Sequence, residues 1–149
     1  MQLHRRGSEC KVRRVTAFVS HTTVDCSDAY ALSEWWKSVL GYADVEDDPN
    51  ERGDQECMIL DPRTGHRLLF LKVPDAAEAK RRHGKNRLHL DLRPREGTRD
   101  EELERLLVQG ATTVADLRGK YGPGTGWVVL ADPEGNEFCI LRSEAEAAD

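Results

Sequence analysis

Apolar residues recur along this chain at two spacings, one typical of strands and one typical of helices. Residues 87–93 read Arg-Leu-His-Leu-Asp-Leu-Arg, a strict alternation that predicts a strand with its three leucines on one face and His89 and Asp91 on the other. Residues 29–40 carry apolar side chains at helical spacing and are followed by Gly41, so they predict a helix that packs on a sheet. A second helix is predicted at 99–109, with its buried face formed by Leu103, Leu106 and Leu107.

A hairpin pattern occurs twice, about seventy residues apart. Residues 58–71 and 126–142 each read as a strand, a turn containing Asp-Pro and Gly, and a second strand. Superposing Gly65 on Gly135 places Leu69 on Cys139. The other segments follow one order twice: strand, helix, strand, strand, strand. The predicted strands, besides 87–93, are 14–25, 42–46, 56–60, 67–73, 112–117, 127–131 and 138–141.

The repeat predicts an α+β fold made of two βαβββ modules in a single domain at 14–143. Module one is 14–75, the linker is 76–85 and module two is 86–143. We expect a flexible leader at 1–13 and a disordered acidic tail at 144–149.

Composition excludes several classes of protein. With 38% hydrophobic and 33% charged residues, and no run of 18 apolar residues, the 149-residue chain is typical of a soluble globular protein without a membrane span. The first residues are polar and basic and do not resemble a signal peptide. The net charge of −5 argues against nucleic acid as a partner, and we interpret the basic run at 80–85 as a solvated linker. Four cysteines without CxxC spacing predict thiols in a reducing cytoplasm.

Four segments resemble a known superfamily. They are 21–25 at the first strand, 35–41 at the end of the helix, 85–92, and 132–139 at the second hairpin turn. In their order and spacing the chain resembles the vicinal oxygen chelate superfamily, and within it the glyoxalase-like and bleomycin-resistance-like proteins. The resemblance implies a mixed sheet that curls around a cavity shared by the two modules. It also implies a homodimer, since many such proteins complete the cavity across a subunit interface.

The resemblance also implies where a metal would bind. Enzymes of this superfamily usually hold one divalent metal with side chains from four strands. His21 and His89 match the first pair of positions, whereas the second pair falls on Leu69 and Cys139, neither of which is a carboxylate. Glu137 has the same strand parity as Cys139 but lies nearer the turn. We therefore expect no cofactor. If a divalent metal binds, His21, His89 and Cys139 would suit zinc, whereas Ni, Mn and Fe sites of this superfamily use more oxygen ligands.

The sequence favours a protein that binds a small organic molecule without a metal. Concave, mainly apolar walls with a few polar groups are what such a site needs. We predict that this cavity is lined by His21, Thr23, Leu69, Leu71, His89, Asp91, Trp127 and Cys139.

Other interpretations stay open. The chain could be a metal-dependent lyase, isomerase or dioxygenase that uses His21, His89 and Cys139. Without a metal, His89 could activate the Cys139 thiol, or Asp91 could orient His89 as a general base. Structural roles explain the same residues: a cysteine packed as a small apolar side chain and a hydrogen-bonded His–Asp pair. A third interpretation is an interaction module whose sheet serves dimerisation or docking.

Overall fold

The computed structural model describes residues 19–76 and 88–148. The predicted leader and the basic run at 80–85 lie outside these residues. In the described part of the chain, no helix is long and apolar enough to cross a membrane. The elements are β1 (Thr22–Cys26), α1 (Ala29–Leu40), β2 (Ala43–Asp44), β3 (Glu56–Leu60), β4 (Arg67–Lys72), β5 (Leu90–Leu92), α2 (Arg99–Val108), β6 (Thr112–Asp116), β7 (Val128–Ala131), β8 (Glu137–Ile140) and α3 (Glu144–Ala148).

The two modules have the same topology. Sheet one has the strand order β1-β4-β3-β2 and sheet two has the order β5-β8-β7-β6. In each sheet the first strand of the module pairs in parallel with the last, and the other pairs are antiparallel. The α+β fold of two βαβββ modules is therefore confirmed. The strands form two separate four-stranded sheets, and neither sheet is closed on itself.

Helix α1 forms where the spacing predicted it. Asp28 caps its start by accepting a hydrogen bond from the backbone N–H of Ala31 at 2.9 Å. Gly41 ends it in the left-handed conformation, with φ of 69°, and its N–H bonds the carbonyl of Lys37. Trp36, only 3% exposed, lies on the buried face that packs on sheet one.

Helix α2 begins with a capping box, because Thr98 and Glu101 each accept a hydrogen bond from the other's backbone N–H. Leu103 and Leu106 are buried as predicted, but Leu107 is 40% exposed. The prediction for Leu107 was wrong because the helix is covered on one side only.

The strand predicted at 87–93 is shorter in the structure, at Leu90–Leu92. Leu90 and Leu92 pack against the core. Leu88, predicted to share their buried face, precedes the strand and is 88% exposed. The pairing with β8 begins at Leu90, so nothing in the described sheet covers the side chain of Leu88.

The acidic tail is folded, contrary to the prediction of disorder. Residues 144–148 form helix α3. The carboxylate of Glu146 accepts hydrogen bonds from the backbone N–H groups of Arg99 and Ser143, each at 2.8 Å. These bonds lower the pKa of Glu146, although its partial burial alone would raise it. A contact with helix α2, distant in sequence, thus orders the tail.

Both modules contribute to one hydrophobic core. Phe138 of β8 meets Trp35 and Trp36 of α1 edge to face, with ring centroids 6.0 and 5.1 Å away. The indole N–H of Trp36 donates to the carboxylate of Asp132 at 3.1 Å, and that of Trp35 donates to the carbonyl of Gln109 at 2.7 Å. The two tryptophans therefore serve packing between the modules.

The second hairpin turn also crosses between the modules. The carboxylate of Glu134 accepts hydrogen bonds from the backbone N–H groups of Ser27 and Asp28, at 2.7 and 2.8 Å. These groups lie at the start of α1, where the partial positive charge of a helix favours a carboxylate. The second hairpin turn therefore joins β7 to β8 and also makes a structural contact between the modules.

Candidate functional site on sheet two

Sheet two has one face on the core and one face away from it, which we call the open face. Along β5, Leu90 and Leu92 pack on the core, so alternation sends Asp91 to the open face, together with His89 just before the strand. Along β8, Phe138 and Ile140 point into the core, so Glu137 and Cys139 share the open face. Because β5 and β8 are parallel neighbours, Asp91 lies directly beside Cys139.

Three polar side chains converge there. One ligand atom from each of His89, Asp91 and Cys139 lies within 4.8 Å of the others. The Nε2 atom of His89 is 3.4 Å from Oδ1 of Asp91. The side chains of His89 and Asp91 are 36% and 54% exposed, whereas Cys139 is only 4% exposed. The group therefore combines a buried thiol with an imidazole and a carboxylate that a ligand can reach.

The surroundings of this group are mainly apolar and aromatic, but they include Glu137, which pairs with Ala131. Val129 of β7 pairs with Cys139, and Ala131 follows it on the same face. Trp127 precedes β7 with the same parity, and its ring stacks on Tyr121 with centroids 5.8 Å apart and an interplanar angle of 25°. Trp127 thus lies at one end of the open face.

The loop at 118–126, which leads into β7, is fixed by a buried arginine. The guanidinium of Arg99, only 7% exposed, donates to the carbonyl groups of Thr125 and Gly126 at 3.2 and 2.9 Å. Gly126 has φ of 84°, and a Cβ there would lie 2.0 Å from the carbonyl oxygen of Leu117. This end of the open face is therefore tied to helix α2.

The other predicted lining residues lie on sheet one. Thr23 pairs with Leu69, and Asp25 pairs with Leu71, on the face opposite the buried Phe70. His21 precedes β1 with the parity of Thr23, and its Nδ1 atom lies 3.1 Å from the hydroxyl of Ser20. The eight predicted residues therefore fall into two sets of four, one on each sheet.

The metal-ligand set predicted from the sequence is only partly brought together within the chain. His89 and Cys139 are in one group, but the third member of that group is Asp91 rather than His21. Asp91 was predicted to line the cavity or orient His89, not to bind a metal. The signal that could have placed it there is the His-x-Asp spacing, which puts both side chains on one strand face beside Cys139.

The two other cysteines of the described residues belong to the core. Cys26 and Cys57 are fully buried, and no disulfide is formed among the described cysteines. Burial raises the pKa of the Cys26 thiol to about 12 and also raises that of Cys57. Both are therefore protonated at neutral pH and poor nucleophiles.

Known proteins share this fold. A family model described as a glyoxalase-like domain matches residues 21–141. No curated protein sequence matches the chain significantly.

Solved structures with a similar fold are found at low sequence identity. A possible glyoxalase from Bacillus cereus is 14% identical with a TM-score of 0.57, covering 85% of this chain and 99% of that one. A member of the glyoxalase/bleomycin resistance protein/dioxygenase superfamily from Sphaerobacter thermophilus is 21% identical with a TM-score of 0.54, covering 85% and 97%.

A third similar structure contains a metal. It is a variant of the fosfomycin resistance protein FosX from Listeria monocytogenes, complexed with Mn(II) and a dihydroxypropylphosphonic acid. It is 14% identical with a TM-score of 0.59, covering 89% of this chain and 94% of that one. At this identity the likeness concerns the fold alone. The family match and the shared fold lead to one conclusion: the chain belongs to the glyoxalase-like domain family, within the vicinal oxygen chelate superfamily.

Proposed function

We propose that this protein binds a small organic molecule on the open face of sheet two. The observation that carries the proposal is the convergence of His89, Asp91 and Cys139 within 4.8 Å beside apolar neighbours. A few polar groups placed on a mainly apolar wall orient a ligand and supply specificity. The stacked Trp127 and Tyr121 rings extend that wall with aromatic surface suited to a planar ligand.

The polar group also has a chemistry of its own. With Nε2 of His89 at 3.4 Å from Oδ1 of Asp91, the carboxylate can orient the imidazole. His89 could then donate a hydrogen bond to a ligand oxygen, or exchange a proton with it. The thiol of Cys139, a residue only 4% exposed, is the buried member of the group.

A metal-dependent enzyme is the second candidate, because the same three side chains fit a metal. Zinc accepts nitrogen, sulfur and oxygen ligands, and three protein ligands leave a position for water or substrate. In a tetrahedral zinc site neighbouring ligand atoms lie about 3.4 Å apart, and the His89–Asp91 separation is 3.4 Å. Cys139 would have to approach the other two. A bound zinc ion would polarise a substrate oxygen, which suits a lyase or isomerase.

The donor set suits other metals less well. Mn, Ni and Fe in octahedral sites prefer more oxygen and nitrogen ligands than one carboxylate and one imidazole provide. We therefore keep the metal-free binding protein as the first proposal. Zinc is the metal to test against it, and Mn, Ni and Fe serve as comparisons.

We further propose a cytoplasmic homodimer. Val19 before β1 and Leu88 before β5 are 85% and 88% exposed, and each leads into the edge strand of a sheet. A second copy that covers these edges would remove apolar surface from water. Light scattering on the purified protein gives the mass directly. A monomer at all concentrations would contradict this part of the proposal.

The deciding experiment measures metal content and ligand binding in one set of variants. Protein is purified without chelators or an affinity tag, and metal is quantified before and after incubation with Zn, Ni, Mn and Fe salts. A thermal-shift screen of aromatic metabolites and drugs follows. The variants are His89→Ala, Asp91→Asn and Cys139→Ser, with His66→Ala, on the hairpin of sheet one, as the matched control.

The outcomes separate the candidates. Ligand binding without metal, lost in His89→Ala and Asp91→Asn but kept in His66→Ala, supports the binding protein. Near-stoichiometric metal that is lost in His89→Ala and Cys139→Ser overturns it in favour of the enzyme. His21→Ala then distinguishes the two ligand sets. Loss of metal there means that His21 is a ligand, whereas retained metal leaves the site to Asp91.

A further inference from the structure

A cavity of about 410 Å³ lies between the modules, where the turn joining β3 to β4 meets the loop between β5 and α2. Arg63 of that turn and Arg93 and Arg95 of that loop line it, so we call it the arginine cavity. His89, Asp91 and Cys139 are not part of its lining. We propose that the arginine cavity binds an oxyanion, the carboxylate or phosphate group of a small molecule. This site is separate from the one proposed on sheet two.

The guanidinium groups have more donors than the protein around them uses. Arg95 donates to Oδ2 of Asp61 at 3.1 Å, and Nε of Arg63 is 3.9 Å from Oδ1 of the same carboxylate. Arg93 donates to the carbonyl of Arg142, and it pairs with no carboxylate among the residues that the structure describes. Each guanidinium carries five N–H donors in a fixed fork. The contacts named here use only a few of them, so donors are available to a ligand.

The charge of the lining sets how an anion would be held. Glu96 and Glu144 also line the cavity, and Asp61 lies behind Arg95. The acidic groups therefore balance the arginines, and no strong field attracts anions from a distance. Binding would rest on short-range hydrogen bonds from the guanidinium forks, which match the geometry of carboxylate and phosphate oxygens.

The internal repeat shows how the two turns between the modules differ. Counted from the Asp-Pro pair that opens each turn, Arg63 corresponds to Glu134; the first turn then has one more residue before its glycine, so Gly65 still falls on Gly135. At the second turn the Glu134 carboxylate crosses to the other module and accepts two backbone hydrogen bonds. At the first turn the corresponding side chain is a guanidinium, and a cavity remains. At the start of α2, Glu101 and Glu146 already accept the backbone N–H groups of Thr98 and Arg99, so a ligand anion would bind the guanidinium groups and not the helix start.

The size of the cavity indicates more than a bare ion. Pockets for small molecules measure roughly 300–1,000 Å³, and the arginine cavity is within that range at about 410 Å³. We therefore expect the oxyanion to be carried by a small molecule. Inorganic phosphate is a simple probe of the anion site, and a hexose phosphate and succinate distinguish a phosphate from a carboxylate.

The test is calorimetric titration of the full chain with phosphate, hexose phosphate and succinate at constant ionic strength, which removes non-specific salt effects. The variants are Arg63→Gln and Arg93→Gln, and the control is Arg67→Gln, an exposed arginine of β4 outside the lining. Losing a charge-assisted hydrogen bond should weaken binding about tenfold or more. The control should stay within twofold of the unmodified protein. Arg95 is not varied, since its loss would remove the shorter of the two ion pairs of the buried Asp61.

A further variant keeps the test decisive if an arginine variant fails to fold. Glu96→Gln removes a lining carboxylate and should strengthen binding of the oxyanion by at least about twofold. The proposal is supported if any one of the three probes binds, and if its binding is weaker in the two arginine variants and stronger in Glu96→Gln. No binding tighter than about 1 mM by any probe, an equal loss in Arg67→Gln, or unchanged affinity in Glu96→Gln would overturn it.

Discussion

The contact of Glu134 with the start of helix α1 gives a quantitative prediction. Its carboxylate accepts two backbone N–H groups, those of Ser27 and Asp28, across the junction between the modules. In Glu134→Gln the amide oxygen can keep one of these bonds, but the amide nitrogen then faces the other N–H as a second donor. One charge-assisted hydrogen bond is lost, worth about 1.5 kcal/mol or more. The charge at the helix start adds roughly 0.3–1 kcal/mol.

Because Glu134 is partly exposed, solvent screens part of this energy, and we expect a net loss of about 1.5 kcal/mol in the free energy of unfolding. The corresponding fall in Tm is about 5 °C for a chain of this size. Urea denaturation followed by tryptophan fluorescence measures the loss, since Trp36 lies at the same junction. Glu104→Gln, which removes an exposed carboxylate from α2, is the matched control. A loss no larger than that of the control would show that the hydrogen bonds of Glu134 contribute nothing to stability.

Three further predictions concern the core, the loop and acid stability. Phe138→Ala should lower the free energy of unfolding by about 3–5 kcal/mol, because it leaves a cavity against Trp35 and Trp36 of α1. Thermal denaturation measures this loss. A loss below about 1 kcal/mol would contradict the shared core. Gly126→Ala should displace the loop at 118–126 and weaken any ligand binding near Trp127, since the added Cβ would lie 2.0 Å from a backbone atom. An unchanged near-ultraviolet circular dichroism spectrum would contradict this displacement. Hydrogen bonds from Arg118 lower the pKa of Asp116 from 3.8 to about 2, so this pair stabilises the fold fully above pH 4 and loses its effect as the pH falls towards 2. Since Asp116 is exposed, the effect should stay below about 1 kcal/mol, and it should disappear in Arg118→Gln.

Much of the fold could be predicted because the information was local. The alternation at 87–93 and the repeated Asp-Pro hairpin set both strand faces and the order of the strands. The predictions were wrong where contacts between residues distant in sequence determine the local structure. Residues 144–148 are rich in Glu and Ala, which favour a helix, but so short a segment is not stable alone. Its helix depends on the contact between Glu146 and the backbone of Arg99, which no local pattern indicates.

The candidate site was predictable to a similar extent. Alternation placed His89 and Asp91 on one face, and the repeat placed Cys139 on the last strand of the module, beside the first. His21 was assigned because it matches a metal position of the superfamily, and under the internal repeat it is equivalent to His89. Equivalence in a repeat means corresponding positions in two sheets, and it does not imply that the two side chains are close. The arginine cavity gave no signal, because its three arginines are drawn from segments thirty residues apart.

The core shared by the modules has a consequence for how the protein could have evolved. A duplicated unit usually suggests that the ancestral half folded alone, or as a pair of identical chains. Here Trp36 of one half is covered by Phe138 of the other, so either half alone would expose an aromatic surface to water. We therefore expect neither half to fold without the other. If the gene is divided between codons 76 and 88, we expect each fragment to be insoluble when it is made alone. Made together, the two fragments should assemble into the folded protein.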